Sequence, residues 1–242
     1  MCALRSAVAA LEVFLPAECP CCQGPMPGMH RGLCTRCRSS LVPMAGLRCC
    51  TCGGPIDDPA DPCVACVADP TPQRGTVVWG EYDGTLRDAV LTLKHRGHDE
   101  VGTVLASRLA ARLSLEPWIE EITVVTAVPS HPLHRLRRGF NGAEILARSL
   151  ACAIDRPFRV TLRRHGLSRQ ASRSRSERKR LQARRFSVPR PAAIQEQTVL
   201  LIDDVITTGT TLRRAVQALL NGGASEVYAG ALGFTPDPRR MG

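Results

Sequence analysis

Aromatic side chains are scarce in this sequence: five Phe, two Trp and two Tyr make up 4% of 242 residues. With so few flat rings the chain has little means of stacking successive bases, so any grip on nucleic acid has to come mainly from charge. Long apolar runs are missing too. No stretch approaches the about 18 residues that a membrane-spanning helix needs, which excludes an integral membrane role. There is no acidic excess either: 32 Lys and Arg face 22 Asp and Glu, a net charge of +10. Such a balance suits polyanionic partners such as nucleic acid or phosphate esters. Residues 1–20 lack the uninterrupted apolar core of a signal peptide, because Glu12 breaks the run 7–17. Leu4, Val8, Leu11 and Leu15 fall instead on one face of a short amphipathic helix, and a cytoplasmic protein is expected. What remains is the composition of a globular chain of one or two domains, 44% hydrophobic and 22% charged.

The positive charge is concentrated. Residues 163–190 hold eleven bases and one acid, Glu177, so this segment carries the whole excess. Its centre, SRQASRSRSERKR, has no aromatic and no helical periodicity. It reads either as a solvated linker or as a loop that closes over an anion, with Arg169, Arg173, Arg175 and Arg178 as its lid residues. Because strand-like stretches at 158–162 and 199–202 flank it, the lid reading is preferred.

The cysteines are equally concentrated. Ten of the twelve lie between Cys19 and Cys66, and eight form four C-x2-C pairs: Cys19/Cys22, Cys34/Cys37, Cys49/Cys52 and Cys63/Cys66. The pairs are separated by 11, 11 and 10 residues. A C-x2-C turn brings two thiolates to one metal, and two such turns complete a tetrahedral zinc site. Four pairs suffice for two sites. A disulfide scaffold has no signal peptide to support it and repeated C-x2-C is metal spacing; four thiolates also admit an iron–sulfur cluster, although the run lacks ferredoxin spacing. The sites could pair sequentially or as an interleaved cross-brace; sequential pairing closes shorter loops at a smaller entropic cost. Cys21 and Cys50 sit beside the ligands and read as non-ligands, with substitution for a neighbour in another register as the alternative.

From residue 76 the pattern alternates between strand-length apolar runs and helical stretches. Strands are expected at 76–82, 122–128, 199–202 and 227–233, and helices at 86–94, 101–113, 140–154 and 210–220. Such alternation implies a parallel sheet, with ligands bound beyond the strand C-terminal ends. One place stands out. The buried run 199–202 delivers Asp203 and Asp204 to its end, and Thr207, Thr208, Gly209, Thr210 and Thr211 then open a helix. Free N–H groups, a glycine and four hydroxyls make a phosphate cradle, and the two carboxylates suit the vicinal hydroxyls of a ribose. No GK[ST] follows, so this is not a P-loop. A second cluster, Ser130, His131, Arg135, Arg137 and Arg138, follows the run 122–128 and offers anion contacts. Lys94 and Arg96, after the helix 86–94, could reach the same anion.

Residues 199–212, VLLIDDVITTGTTL, resemble the phosphoribosyl-pyrophosphate motif of type I phosphoribosyltransferases. Residues 127–148, AVPSHPLHRLRRGFNGAEILAR, resemble the PVPLHPxRxxxRGFNQAExLA of the ComF family, and 81–97, EYDGTLRDAVLTLKHRG, its YxGxLRxxIxxLKxxG. The four C-x2-C pairs resemble the zinc finger of that family, so the resemblance runs from about residue 19 to 233. It implies a type I phosphoribosyltransferase fold, a parallel sheet flanked by helices, over residues 76–242, with a small zinc-ribbon-like module over 1–75. It implies phosphoribosyl pyrophosphate as ligand: Asp203 and Asp204 on the ribose, Thr207 to Thr211 on the 5′-phosphate, and Ser130, His131, Arg135 and Arg138 on the pyrophosphate. Mg²⁺ would come with the pyrophosphate, and a link to DNA uptake is implied. Ala127, Ser130 and Gly142 depart from the family pattern, as do Arg173 and Leu181 in the basic loop. These departures touch the pyrophosphate loop and lid, and bear on turnover more than on ligand binding. Thr207 stands where purine-salvage relatives carry an Asp, which argues against ordinary 6-oxopurine salvage. The alternatives are a non-catalytic protein handling single-stranded DNA on the same scaffold and a nucleotide-responsive regulator. No catalytic residue and no acceptor can be named from the sequence.

Overall fold

The computed structural model describes residues 18–26, 32–61, 63–131, 139–165 and 185–235. The expected N-terminal helix lies outside them.

The cysteine-rich part folds as two copies of one small unit. In each copy a tight antiparallel knuckle carries the first C-x2-C pair, closed by an isolated bridge: Glu18 with Pro25, then Arg48 with Pro55. Matching hydrogen bonds tie the knuckles, from Cys19 N to the Gly24 carbonyl (2.8 Å) and from Cys49 N to the Gly54 carbonyl (2.9 Å). The residue after each knuckle's second cysteine is left-handed, with φ of 59° at Gln23 and 74° at Gly53. Gly53 has little alternative, since a Cβ there would come 2.8 Å from the Val78 side chain. A five-residue helix then carries the second pair: α1, Thr35–Ser39, and α2, Val64–Ala68.

The larger part begins with β1, Gly75–Glu81. Two helices follow, α3, Gly84–Arg96, and α4, Asp99–Leu113. Asp83 caps the start of α3 by accepting from Gly84 N, and Gly97, left-handed at φ 63°, ends it. Strand β2, Val124–Ala127, leads to α5, Gly142–Ala153. A two-residue antiparallel ribbon, β3 (Arg163–Arg164) with β4 (Phe186–Ser187), brackets the basic segment. The chain closes with β5, Thr198–Ile206; α6, Thr210–Asn221; and β6, Glu226–Phe234.

The four long strands form one parallel sheet in the order β1-β6-β5-β2. Alternate residues of β5 enter two cores. Leu200 and Ile202 pack with Leu93, Leu105, Leu109, Leu146 and Leu150 of α3, α4 and α5. Val199 and Leu201 pack with Leu212, Val216 and Leu219 of α6. Both sheet faces are covered, which is why these strands read as continuous apolar runs. None of the helices in the described residues is long and apolar enough to cross a membrane.

Three expectations change. The strand expected at 199–202 runs on to Ile206, because β6 keeps pairing with it: Asp203 is in register with Ala231 and Val205 with Gly233. The stretch 158–162 contributes only the bridge Val125–Phe158 rather than a strand. Lys94 and Arg96 lie inside the last turn of α3 rather than after it.

Candidate functional site

The eight cysteines gather sequentially into two tetrads, Cys19/Cys22/Cys34/Cys37 and Cys49/Cys52/Cys63/Cys66, with the sulfurs of each within 4.8 Å of one another. Cys19 and Cys37 Sγ are 3.9 Å apart, Cys22 and Cys34 3.7 Å, Cys49 and Cys66 3.8 Å, and Cys52 and Cys63 3.7 Å. A tetrahedral thiolate site with Zn–S of about 2.3 Å has sulfur–sulfur edges of about 3.8 Å, so either tetrad could hold zinc; a disulfide, at about 2 Å, does not fit. Backbone N–H groups point at the sulfurs, Cys34 N at Cys19 Sγ and Gly54 N at Cys52 Sγ, both at 3.4 Å. Such contacts favour thiolates. The Gly24 N–H is the main reason that Cys22 titrates low, near 6. Burial pushes the Cys21 thiol up to about 11 and raises Cys37, Cys52 and Cys66 within the tetrads as well, so protonation does not separate ligand from neighbour; the sulfur geometry does.

At the C-terminal edge of the sheet lies a cleft of about 510 Å³. It exists because β2 stops pairing with β5 at Ala127–Ile202, while β5 continues along β6. From Asp203 onward the β2 flank of β5 is open. Val128, Pro129 and Ser130 line this opening, and Asn141 Nδ2 donates to the Val128 carbonyl (3.1 Å), pinning the far end of their loop to the strand exit.

Asp203 and Asp204 form one wall. Asp203 Oδ1 accepts from Asp204 N at 2.9 Å, and Lys94 Nζ reaches Asp204 Oδ1 at 2.9 Å. Burial, and then the neighbouring Asp204 charge, raise the Asp203 carboxyl to about 7. The opposite side is cationic. Arg164 lies over the Phe186 ring, 5.6 Å from its centroid, and the ribbon brings Arg185 beside it through His165 N donating to the Arg185 carbonyl at 2.9 Å. Arg164 sits below its ordinary pKa because of burial and then the like charge of Arg185. Arg164 Nε, Arg185 Nε and Ser130 Oγ are buried with no hydrogen-bond partner among the described residues. Two repelling guanidiniums with unused donors, next to paired carboxylates, make a place for a ligand that is an anion at one end and carries hydroxyls at the other.

The expected site is therefore partly assembled and partly divided. Asp203, Asp204, Ser130, His131 and Thr211 line the cleft together. Thr207, Thr208 and Gly209 line a second cavity on the other side of the same loop. Gly209, at φ 70°, caps the start of α6 without a side-chain capping bond, and a Cβ there would meet nothing within 4 Å. Thr208 Oγ1 accepts from Thr210 N at 3.4 Å. Arg135, Arg138, Arg169, Arg173, Arg175 and Arg178 lie outside the described residues. Arg164, Arg185 and Asn141 were not singled out by sequence. The two arginines were visible only as two charges among eleven, and nothing in the sequence paired the ribbon that brings them together.

The phosphoribosyl transferase domain family matches residues 105–239. DNA utilization protein YhgH of Salmonella typhi is 30% identical over 229 residues, covering 90% of this chain and 97% of its own. Competence protein ComFC of Bacillus subtilis (strain 168) is 28% identical over 197 residues, 79% of either chain. Among solved structures, a glutamine phosphoribosylpyrophosphate (PRPP) amidotransferase from B. subtilis is 22% identical over 59% of this chain, with a TM-score of 0.43. This chain covers 30% of that longer one.

Proposed function

Since the chain belongs to the ComF family, on a phosphoribosyltransferase scaffold, we propose that its cleft binds Mg-phosphoribosyl pyrophosphate and serves a step in the handling of incoming DNA. The observation that carries the reading is the pairing of unlike walls: Asp203 and Asp204 on one side, Arg164, Arg185 and Ser130 with unused donors on the other.

In this reading Asp203 and Asp204 accept hydrogen bonds from the ribose hydroxyls. The N–H groups of the first turn of α6 that follow Thr210, with Thr207 to Thr211, take the 5′-phosphate. Arg164, Arg185, Ser130 and His131 take the pyrophosphate, joined by Arg135 and Arg138, and the segment with Arg169, Arg173, Arg175 and Arg178 closes over it. Carboxylates and phosphate oxygens are the hard donors Mg²⁺ prefers, and the ion would offset charge on the leaving pyrophosphate. Transfer would break the bond from ribose C1 to the pyrophosphate oxygen, which keeps the electron pair, and would form a bond from C1 to the lone pair of an acceptor nucleophile, whose proton is lost to solvent. The guanidiniums stabilise that developing charge, and closure keeps water from capturing the cationic ribose carbon. Each cysteine tetrad holds zinc as a structural ion.

A second reading has its own observation: the whole charge excess lies in residues 163–190. The same scaffold then holds single-stranded DNA by that segment without turnover. Calorimetry with Mg-phosphoribosyl pyrophosphate, alongside an assay of pyrophosphate release, separates the two. Binding that Arg164→Ala with Arg185→Ala abolishes supports the cleft. Absence of binding to the wild type overturns it and leaves the DNA reading, in which affinity falls steeply with salt.

A further inference from the structure

Lys94 is set in place by the elements around it. It lies in the last turn of α3, where a cation suits the helix dipole. Gly97 ends that helix at φ 63°, and a Cβ there would come 2.9 Å from the Phe140 ring. Gly142, at the start of α5, lies so near that a Cβ on it would be 3.4 Å from Lys94 Cα. One turn earlier the Thr92 hydroxyl donates to the Pro20 carbonyl of the first knuckle at 3.0 Å. The end of α3 is thus held both by the start of α5 and by the cysteine-rich part.

From that fixed end the Lys94 side chain enters the cleft. Its ammonium is 5.9 Å from the centroid of the Tyr82 ring and 2.9 Å from Asp204 Oδ1. The Lys94 and Asp204 side chains are 29% and 15% exposed, so solvent screens the pair only in part. Lys94 therefore stands on the acidic wall, not with Arg164 and Arg185 where an anion would lie. Two adjacent carboxylates are the donors that a hard divalent cation seeks. Burial and the Asp204 charge push the Asp203 carboxyl up, and Lys94 and then Arg164 pull it back. The lysine already supplies, from a side chain, part of the charge that such a cation would bring.

We infer that Lys94 is a specificity-determining residue: its ammonium is the resident counter-ion of the Asp203–Asp204 pair and keeps a free divalent cation out of the cleft. The ion then enters only with a phosphate-bearing ligand, whose own oxygens hold it. A carboxylate has two oxygens, so Lys94 on Asp204 Oδ1 leaves Oδ2 to accept from a hydroxyl. A divalent ion at the same carboxylates would lie close to the ammonium and be repelled by it. Exclusion matters because an ion bound alone would occupy the acceptors that a sugar diol needs. The role deepens the reading given above and rests on it for the identity of the ligand.

The test is a Mn²⁺ titration of the zinc-loaded full chain without phosphoribosyl pyrophosphate, at about pH 8, above the range in which Asp203 titrates. Paramagnetic resonance counts the free ion. The wild type should show no saturable Mn²⁺ site that depends on the two aspartates. Lys94→Gln should gain one, at least about tenfold tighter than any wild-type binding, and lose it again when Asp203→Asn and Asp204→Asn are added. Lys94→Met, which keeps the apolar stem, gives the same comparison should Lys94→Gln not fold. Lys94→Arg keeps the charge and should exclude the ion as the wild type does, whereas a merely structural lysine would leave Mn²⁺ binding unmoved in every variant. A wild-type Mn²⁺ site that Asp203→Asn with Asp204→Asn removes overturns the role, and so does a folded neutral variant that gains no Mn²⁺. The same samples are titrated with phosphoribosyl pyrophosphate in Mg²⁺. No binding by the wild type, with the Mn²⁺ results as expected, would sink the proposed function and leave Lys94 as the counter-ion. Phosphoribosyl pyrophosphate binding alongside a wild-type Mn²⁺ site would sink this role alone.

Discussion

Cys19, Cys34 and Cys37 of the first tetrad are buried in one apolar cluster with Leu33, Leu86, Leu93 and Leu105. The Thr92 hydroxyl of α3 donates to the Pro20 carbonyl at 3.0 Å, and Cys21 Sγ lies 4.0 Å from the Thr85 carbonyl. In the second tetrad only Cys49 is buried, while Cys52, Cys63 and Cys66 are half-exposed. That tetrad faces the site instead. Asp69, which caps the end of α2, pairs with Arg213 in the first turn of α6, directly after the Thr207–Gly209 turn. Two units with the same knuckle, the same helix and nearly the same spacing thus have different employment. The first is part of the core on which the sheet rests, and the second is a wall beside the Thr207–Gly209 turn. A repeated metal motif fixes local shape, and its neighbours decide whether that shape stabilises or serves.

The strongest way to break this comparison is to remove one ligand from each centre. Cys37→Ser and Cys66→Ser should each cost one zinc, read by metal analysis. Zinc binding is folding free energy, about 10–16 kcal/mol in zinc-finger peptides. Loss at the first centre should spread into α3 and α4 and lower the melting temperature by roughly 10 °C or more, a loss of several kcal/mol in a chain of this size. Cys66→Ser should move it far less and should weaken phosphoribosyl pyrophosphate binding instead. Equal melting shifts would show the two centres to be equivalent.

If the ligand site can be separated from both centres, Asp203→Asn with Asp204→Asn should leave the zinc content at its wild-type value. Charged hydrogen bonds contribute about 1.5–3 kcal/mol each, so affinity for Mg-phosphoribosyl pyrophosphate should fall about tenfold or more per carboxylate. Circular dichroism checks the fold. Unchanged affinity in the folded double variant would remove both aspartates from the site.

The raised Asp203 pKa gives a subtler handle. Its carboxyl titrates near 7 in the folded chain and near 4 in an unfolded one. Between those values the folded state holds a proton that the unfolded state releases, so this group's contribution to stability falls as pH rises from about 4 to about 7. Ligand affinity should do the opposite, rising by up to about tenfold per unit below pH 7 and levelling off above it as Asp203 becomes an acceptor. Asp203→Asn should flatten both profiles, measured by denaturant melts and calorimetry across that range.

The smallest expected effect belongs to the link itself. Arg213 and Asp69 are 22% and 48% exposed, and ion pairs of that kind contribute about 0–1 kcal/mol. Arg213→Ala and Asp69→Asn should each change phosphoribosyl pyrophosphate affinity two- to five-fold or less. The double-mutant cycle should show a coupling that disappears when the second tetrad is stripped of metal. A coupling that persists without metal would mean that the wall acts independently of its zinc.

Much was legible from the residues alone, and for physical reasons. Thiolate spacing is local chemistry, so C-x2-C turns state their own geometry, and both tetrads formed from sequential pairs. Strands buried on both faces must be apolar throughout, so the runs within β1, β2, β5 and β6 marked themselves. The turn Thr207–Thr211 announced a helix start, because its glycine and hydroxyls suit little else. What sequence could not supply were relations across distance. Asp203 and Asp204 sit inside β5 rather than after it because β6 continues the pairing while β2 stops, and a strand's end is set by its neighbours' lengths. Arg164 and Arg185 are 21 positions apart in the sequence, and only the antiparallel ribbon makes them one cationic wall. Gln73 reads as an ordinary linker residue until the Thr51 carbonyl and Thr76 lock its amide. The residues thus determined which cysteines pair on one turn and which glycine-containing turn opens a helix, since those properties reside in a few adjacent atoms. The tertiary structure alone decided which charges face each other and which cysteine tetrad stands beside the Thr207–Thr211 turn, since those depend on where distant backbones come to rest.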